Sequence, residues 1–311
     1  MGSAGIAITG MTATGKTALG IEVARRLNGE VVSMDSRQVY RGMDIGTAKP
    51  SVSERAAVPH HGFDLVTPAQ RYSAGRFARE ARAWIEDIRA RGRVPVLVGG
   101  TGFFLRALTH PMFREPALAA DRRERLERHL NGWEAGELAR WSRALDPPFA
   151  SRLPDADRQR HARAVEVALL SGRPLSWWHR QAPPEEPPLA LLVFVIEAPR
   201  DMLVRRIDAR VDAMILAGLR EEVAGLLAAG YTAGDPGMNA TGYAEMIPHL
   251  AGEYDLGEAV ARIRAATRRY ARRQRTWLRR QLPAGAVRLD AALPATELAE
   301  RIVRDWRGGT A

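Results

Sequence analysis

Apolar runs four to eight residues long alternate with longer amphipathic stretches over the first hundred positions. GIAIT (5–9) and VPVLVGGT (94–101) read as buried strands, and EVVSMDS (30–36) as a further strand that ends in Asp35. Between them lie helical patterns. One runs from the first loop to Leu27; another starts at Ser73, a capping residue, carries Phe77, Trp84 and Ile88, and stops at Gly92. Strands alternating with helices from the start predict an α/β three-layer core with a parallel sheet. From 115 to 176 the strand pattern vanishes. DRRERLERHL, EAGELARWSRAL and DRQRHARAVEVALLSG keep helical spacing, so residues 115–188 read as an all-helical insertion domain ending in the proline-rich APPEEPP (182–188). The core then consists of 1–114 and 189–311. It resumes with the strand LALLVFVIEA (189–198), and helices dominate from there to the end, apart from the loop GYTAGDPGMNATGY (230–243).

Composition narrows the class. The 311 residues are 46% hydrophobic and 26% charged, as in an ordinary globular protein, and no apolar run reaches the length of a membrane span. The first strand begins almost at once, without a basic-then-apolar leader, so a cytoplasmic protein is expected. Zero cysteines exclude disulfides, Cys-ligated zinc, iron–sulfur clusters and a thiol nucleophile. The net charge of +10 points to an anionic partner. Of 46 basic residues two are lysines, Lys16 and Lys49, which leaves 44 arginines. Against that bias each lysine marks a position where a compact ammonium is wanted.

Lys16 ends the strongest chemical signal, GMTATGKT (10–17), between a strand and a helix. The backbone of Gly10, Met11, Thr12, Ala13, Thr14 and Gly15 can present N–H groups to phosphate oxygens; Lys16 adds charge, and the Thr17 hydroxyl can ligate Mg²⁺. Asp35, at the carboxyl edge of the sheet, fits a partner of Mg²⁺, a general base or a capping residue. The strand 94–98 ends in Gly-Gly-Thr rather than an acid, which argues against nucleotide hydrolysis and places the Thr101 hydroxyl at the same edge.

Ile263, Tyr270 and Trp277, with Thr267, Gln274 and Leu278, form one buried stripe on the C-terminal helix. Arg262, Arg269, Arg272, Arg273 and Arg280 lie mostly off it, and DRQRHARAVE supplies a second basic segment. Two basic elements suit a long polyanion. His60 and His61 are adjacent, point in opposite directions on an extended chain and lack a third partner, so they do not read as a zinc site.

These segments, with DSRQVYRGMDIGTAKP (35–50), VPHHGFD (58–64), VGGTGFFLRAL (98–108), RQRHARAVEV (158–167), MILAGLREEV (214–223) and ATRRYARRQRTWLR (266–279), resemble the tRNA dimethylallyltransferase family over about residues 5–280. The resemblance implies an enzyme that transfers the dimethylallyl group of dimethylallyl diphosphate to the N6 amine of the adenine at tRNA position 37, beside the anticodon, releasing pyrophosphate. It implies Mg²⁺ as cofactor and the tRNA anticodon stem–loop as partner; a monomer with no membrane attachment is expected. By the same resemblance Asp35 is the general base, Thr101 lies near the reacting centre, and Arg210 holds the pyrophosphate opposite the loop. The matching tRNA-contacting stretches are Asp35, Ser36, Arg37 and Gln38; Gln159, Arg160, His161, Ala162 and Arg163; Met238, Asn239, Ala240, Thr241, Gly242 and Tyr243; and Arg268, Arg269, Arg272, Arg273, Gln274 and Arg275.

Departures from the family pattern are Met11 for a proline, Phe104 for a frequent tyrosine, Gly62 and Thr241 for aliphatics, and Val165 for leucine. None touches Lys16, Thr17, Asp35 or Thr101. The competing readings are a small-molecule kinase with ATP on the loop, an RNA-binding module with a vestigial cradle, and a relative that prenylates free adenine nucleotides. ATP binding at the loop stays open.

Overall fold

A computed structural model describes residues 3–110, 113, 116, 118–182 and 186–309. The chain divides into two compact units, Met1–His110 with Pro188–Ala311, and Pro111–Pro187. The expected boundary between 114 and 115 falls outside the described residues.

The larger unit begins with β1 (Gly5–Gly10), α1 (Lys16–Arg26), β2 (Gly29–Ser33), α2 (Val52–Ala57), β3 (His60–His61), α3 (Ala74–Ala90), β4 (Val94–Val98) and α4 (Gly102–Thr109). The smaller unit holds α5 (Ala120–Asn131), α6 (Ala135–Leu145), α7 (Pro147–Ala150), α8 (Arg158–Ser171) and α9 (Leu175–Gln181). The larger unit resumes with β5 (Leu191–Glu197), α10 (Arg200–Leu216), α11 (Leu219–Ala228), α12 (Tyr243–Leu250), α13 (Leu256–Gln281), β6 (Val287–Asp290) and α14 (Ala295–Gly309).

The six strands form one parallel sheet in the order β3-β2-β4-β1-β5-β6. In register, Ile6 faces Val96 and Ile8 faces both Val98 and Phe194. Side chains alternate between the two faces of the sheet. Ile6, Ile8, Val96, Phe194 and Ile196 meet Leu19 and Val23 of α1 and Leu298 and Ile302 of α14. Val195 takes the opposite face and meets Leu203 and Ile207 of α10 and Ala271 and Leu278 of α13. That makes helix, sheet, helix. Phe104 stacks on Phe77 with ring centroids 4.1 Å apart, so its frequent-tyrosine position is filled here by packing between α3 and α4.

His60–His61, read from sequence as extended chain, is a short edge strand beside β2. Two expectations need correction. β2 stops at Ser33, and Asp35 stands in the following turn, because its carboxylate bonds the Arg37 N–H at 2.8 Å instead of continuing the ladder. The tail is not helical throughout: Val287–Asp290 adds a sixth strand next to β5, and α14 returns to cover α1.

The smaller unit has a core of Leu130, Leu138 and Val165, with Leu126, Trp133 and Leu145 against it. Arg158 donates to the carbonyls of Leu130 and Asn131 at 2.8 Å each, closing the C-terminal end of α5. Asp146 starts α7 by accepting from the Phe149 N–H, and its second oxygen takes the Ser176 N–H at 2.7 Å.

Candidate active site

The loop between β1 and α1 is shaped by its own backbone. Gly15 sits at φ 88° in the left-handed region, and Ala13 at φ 61° does the same without being glycine. That alternation turns successive N–H groups towards one concave side. The Met11 carbonyl closes the loop by accepting from the Thr14 hydroxyl at 2.8 Å and the Lys16 ammonium at 2.5 Å. The Lys16 pKa is lowered to about 7, first by burial and then by the neighbouring Arg210 charge, with Asp35 opposing. Burial likewise lowers Arg210, and Asp35 again opposes it. Lys16, Arg210 and Asp35, far apart in sequence, therefore share one electrostatic neighbourhood. Two cations facing a single carboxylate leave room for an anion.

Thr101 follows β4 and caps α4. Its N–H donates to the Met34 carbonyl at 3.2 Å and its Oγ1 accepts the Ser36 N–H at 3.0 Å, which fixes the Asp35 turn against the Gly-Gly-Thr turn. Tyr270 of α13 joins them. Its hydroxyl is pushed up to about 12, first by burial and then by the Asp35 carboxylate, and Thr101 is within its hydrogen-bonding reach. At neutral pH its hydroxyl is therefore uncharged. Sequence reasoning counted Tyr270 only as part of the buried stripe; its heptad spacing from Ile263 and Trp277 carried no chemical signal.

Thr17, in the first turn of α1, borders a cavity of about 20 Å³ with Ser33, Gln38 and His60. Among the described residues no group of three His, Cys, Asp or Glu side chains could hold a metal. A hydroxyl such as that of Thr17 fits a Mg²⁺ that is carried largely by phosphate and water, not by a protein cage.

The polar residues next to this site divide into those that face outward and those already engaged. Arg269, Arg272, Arg273 and Arg280 line an open groove of about 590 Å³ along α13, with Thr276, Trp277 and Gln281. Arg275 is exposed as well. Arg268, in the stretch expected to meet RNA, is paired with Asp208 of α10 at 2.5–2.6 Å. Gln274 is buried, with both ends of its amide bonded inside the protein. Gln38 is buried too, bonded to Ser33 and to the carbonyls of Thr47 and Ala48. Arg37 reaches the Pro236 carbonyl at 3.0 Å.

In 238–243, Met238, Ala240, Gly242 and Tyr243 are buried, which leaves Asn239 exposed and Thr241 half-buried. The Tyr243 hydroxyl donates to Glu222, whose carboxylate also gathers the N–H groups of Asp44, Ile45 and Gly46 at 2.8–3.2 Å. Burial and the Glu222 carboxylate raise the Tyr243 pKa, so the hydroxyl remains a donor. In α8, Gln159 and Arg160 are exposed and Ala162 is half-buried, His161 is fully buried, and Arg163 pairs with Glu166 at 2.5 Å. Arg37, Gln38, Arg163, Arg268 and Gln274 each have a partner inside the protein that sequence alone does not locate.

His61 bonds Glu30 at 2.7 Å while His60 bonds the Val58 carbonyl at 2.7 Å, so the pair braces the sheet edge and shares no ligand. No helix among the described residues is long and apolar enough to cross a membrane.

A parallel sheet with a phosphate loop after its first strand and polar turns at the ends of β2 and β4 defines an α/β phosphate-loop protein. Within that class the comparisons are specific. A family model described as IPP transferase matches residues 38–281, and one described as isopentenyl transferase matches 5–58. The tRNA dimethylallyltransferase of Geobacter metallireducens is 46% identical over 275 residues, covering 88% of this chain and 89% of its own. That of a Roseiflexus species is 45% identical over 310 residues, covering 97% and 98%. The crystal structure of the full-length tRNA isopentenylpyrophosphate transferase of Bacillus halodurans is 34% identical with a TM-score of 0.70, covering 98% of this chain and 97% of that one. A eukaryotic dimethylallyltransferase acting on tRNA superposes with a TM-score of 0.82 at 28% identity, covering 98% of this chain and 79% of that one. The chain belongs to the IPP transferase family of tRNA dimethylallyltransferases.

Proposed function

We propose that this enzyme takes dimethylallyl diphosphate as donor and transfers its five-carbon group to the N6 amine of the adenine beside the anticodon of tRNA. The observation that carries this reading is the phosphate loop, closed by the Lys16 ammonium on the Met11 carbonyl and sharing an electrostatic neighbourhood with Arg210 and Asp35, at a sheet edge where the turn after β4 supplies Thr101 and no acid. A prenyl donor needs its leaving pyrophosphate stabilised and needs no activated water. Lys16, Arg210 and the loop N–H groups hold the diphosphate and take up charge as the carbon–oxygen bond breaks. Thr17 would hold Mg²⁺, which supplies further charge neutralisation on the pyrophosphate when bound. The amine nitrogen forms the new bond to the first prenyl carbon, and its proton passes to the Asp35 carboxylate. Thr101 and Tyr270 orient that carboxylate and its turn. The base must leave the anticodon stack to reach this enclosed edge, and the arginines of the α13 groove suit the flanking RNA backbone.

The test is incubation with Mg²⁺, dimethylallyl diphosphate labelled in the prenyl group and an anticodon stem–loop. Label in the RNA with release of one pyrophosphate per transfer is expected. Transfer from ATP, or to free AMP with equal efficiency, overturns the reading.

A further inference from the structure

Helix α13 has two sides with different business within four residues. Arg272, Arg273 and Arg275 are exposed, and Gln274 between them points inward with 7% of its surface accessible. Its Oε1 accepts the Thr12 N–H of the phosphate loop at 2.8 Å, and its Nε2 donates to the Gly100 carbonyl at 2.9 Å. One side-chain amide thus spans the two turns that carry Lys16 and Thr101. The fit is close: a Cβ added to Gly100 would stand 2.3 Å from Gln274 Nε2. Only an uncharged side chain with an acceptor and a donor at opposite ends of a planar group meets both backbone partners; glutamate cannot donate to the carbonyl, and methionine can do neither.

We infer that Gln274 is a positioning residue that sets the opening of the phosphate loop and couples it to the arginine face of α13. This rests on the reading of the loop as the diphosphate site and of that face as an RNA-backbone site. The Thr12 N–H is held by Gln274, so the loop's remaining N–H groups meet the phosphate, with their spacing fixed from α13. A polyanion that engages Arg272, Arg273 and Arg275 acts on the same turn of helix that grips the loop. RNA then raises diphosphate affinity, and by reciprocity diphosphate raises RNA affinity by the same factor.

The experiment titrates inorganic pyrophosphate with Mg²⁺ into the full chain by calorimetry, with and without an anticodon stem–loop. In the wild type the RNA tightens pyrophosphate binding about fivefold or more. Gln274→Met, which keeps volume and loses both hydrogen bonds, weakens pyrophosphate binding alone about tenfold. It also abolishes the response to RNA while leaving RNA affinity without pyrophosphate unchanged. Its KM for dimethylallyl diphosphate rises with kcat within about threefold. Gln274→Glu, tested beside it because it is still an acceptor for Thr12, shows the same loss of RNA response; a loss of packing alone would leave that response in place. A wild type indifferent to RNA, or variants that keep both affinity and response, overturns the inference while leaving the diphosphate site standing. A wild type that binds no pyrophosphate removes the site and the inference together.

Discussion

The two lysines of this chain both sit in sequence motifs and do opposite work. Lys16 has one carbonyl partner, and its pKa is lowered to about 7 by burial and Arg210. Lys49 is 1% exposed in its side chain and donates to the Tyr40 carbonyl, Asp44 and Asp64, all at 2.6 Å. One cation lacks an anionic hydrogen-bond partner among the described residues and the other is saturated. An unmatched charge held in place by its surroundings is a site waiting for ligand, whereas a matched one ties a loop together. DIGTAKP is therefore architecture: Lys49 and Glu222 between them fix the loop 40–49 from inside.

The largest separation between the two regions lies in their carboxylates. Asp35→Asn keeps shape and removes the proton acceptor, so the single-turnover rate falls by about 10²–10⁴ with substrate binding retained. Asp64→Asn leaves that rate within about twofold and lowers stability by about 1 kcal/mol, since the group is part-exposed and screened. Partial rescue of Asp35→Asn by excess Mg²⁺ would reassign Asp35 to metal organisation.

Exchanging the lysines themselves comes next. Lys16→Ala lowers turnover about 100-fold, with RNA binding measured without diphosphate intact. Lys49→Met does the reverse: urea unfolding shows a loss of about 2 kcal/mol, and the folded protein keeps its pyrophosphate affinity. An active Lys16→Ala protein would remove the loop as donor site.

A smaller effect follows from the pH response. In the empty protein Lys16 is ammonium below about pH 7 and increasingly amine above it. Bound diphosphate favours the charged form, so binding takes up a proton above that pH. Pyrophosphate affinity falls as pH rises past 7, by up to about tenfold per unit. Calorimetry in two buffers of different ionisation heat reads the proton uptake. In Lys16→Ala the uptake disappears, and in Lys49→Met it persists.

The smallest effect concerns the arginines, which divide as the lysines do. Arg269→Ala with Arg273→Ala reduces the slope of log affinity against log salt for tRNA by about one to two. Arg268→Ala, whose guanidinium is held by Asp208, leaves the slope unchanged.

How much of this was legible follows from the range of the interactions. The phosphate loop, the strands β1, β4 and β5 and the helical character of 120–181 rest on local patterns, and they stand in the structure where the sequence puts them. Val287–Asp290 is four residues long, and only its pairing with β5 makes it a strand, so no local pattern announces it. The same limit applies to side chains. The buried stripe of α13 holds at Ile263, Gln274 and Leu278, and Gln274 keeps to it although it falls inside a stretch that the family resemblance assigns to RNA. Arg163 and Arg268 look like their exposed neighbours until Glu166 and Asp208 are placed beside them. Tyr270 carries the opposite lesson. Helical spacing marks it as packing, and the turns after β2 and β4 bring Asp35 and Thr101 into its electrostatic surroundings.

The near-absence of lysine also makes this protein unusual as a target for covalent chemistry. With only two side-chain amines, one sealed at 1% exposure among three oxygen partners, acylating or sulfonylating reagents used near neutral pH find Lys16 as their lysine target. A depressed pKa makes that amine a nucleophile under conditions where ordinary lysines are protonated. A reporter group can therefore be attached at the phosphate loop without mutating any residue. Occupancy of the loop by an anion can then be read as protection of one amine in one peptide.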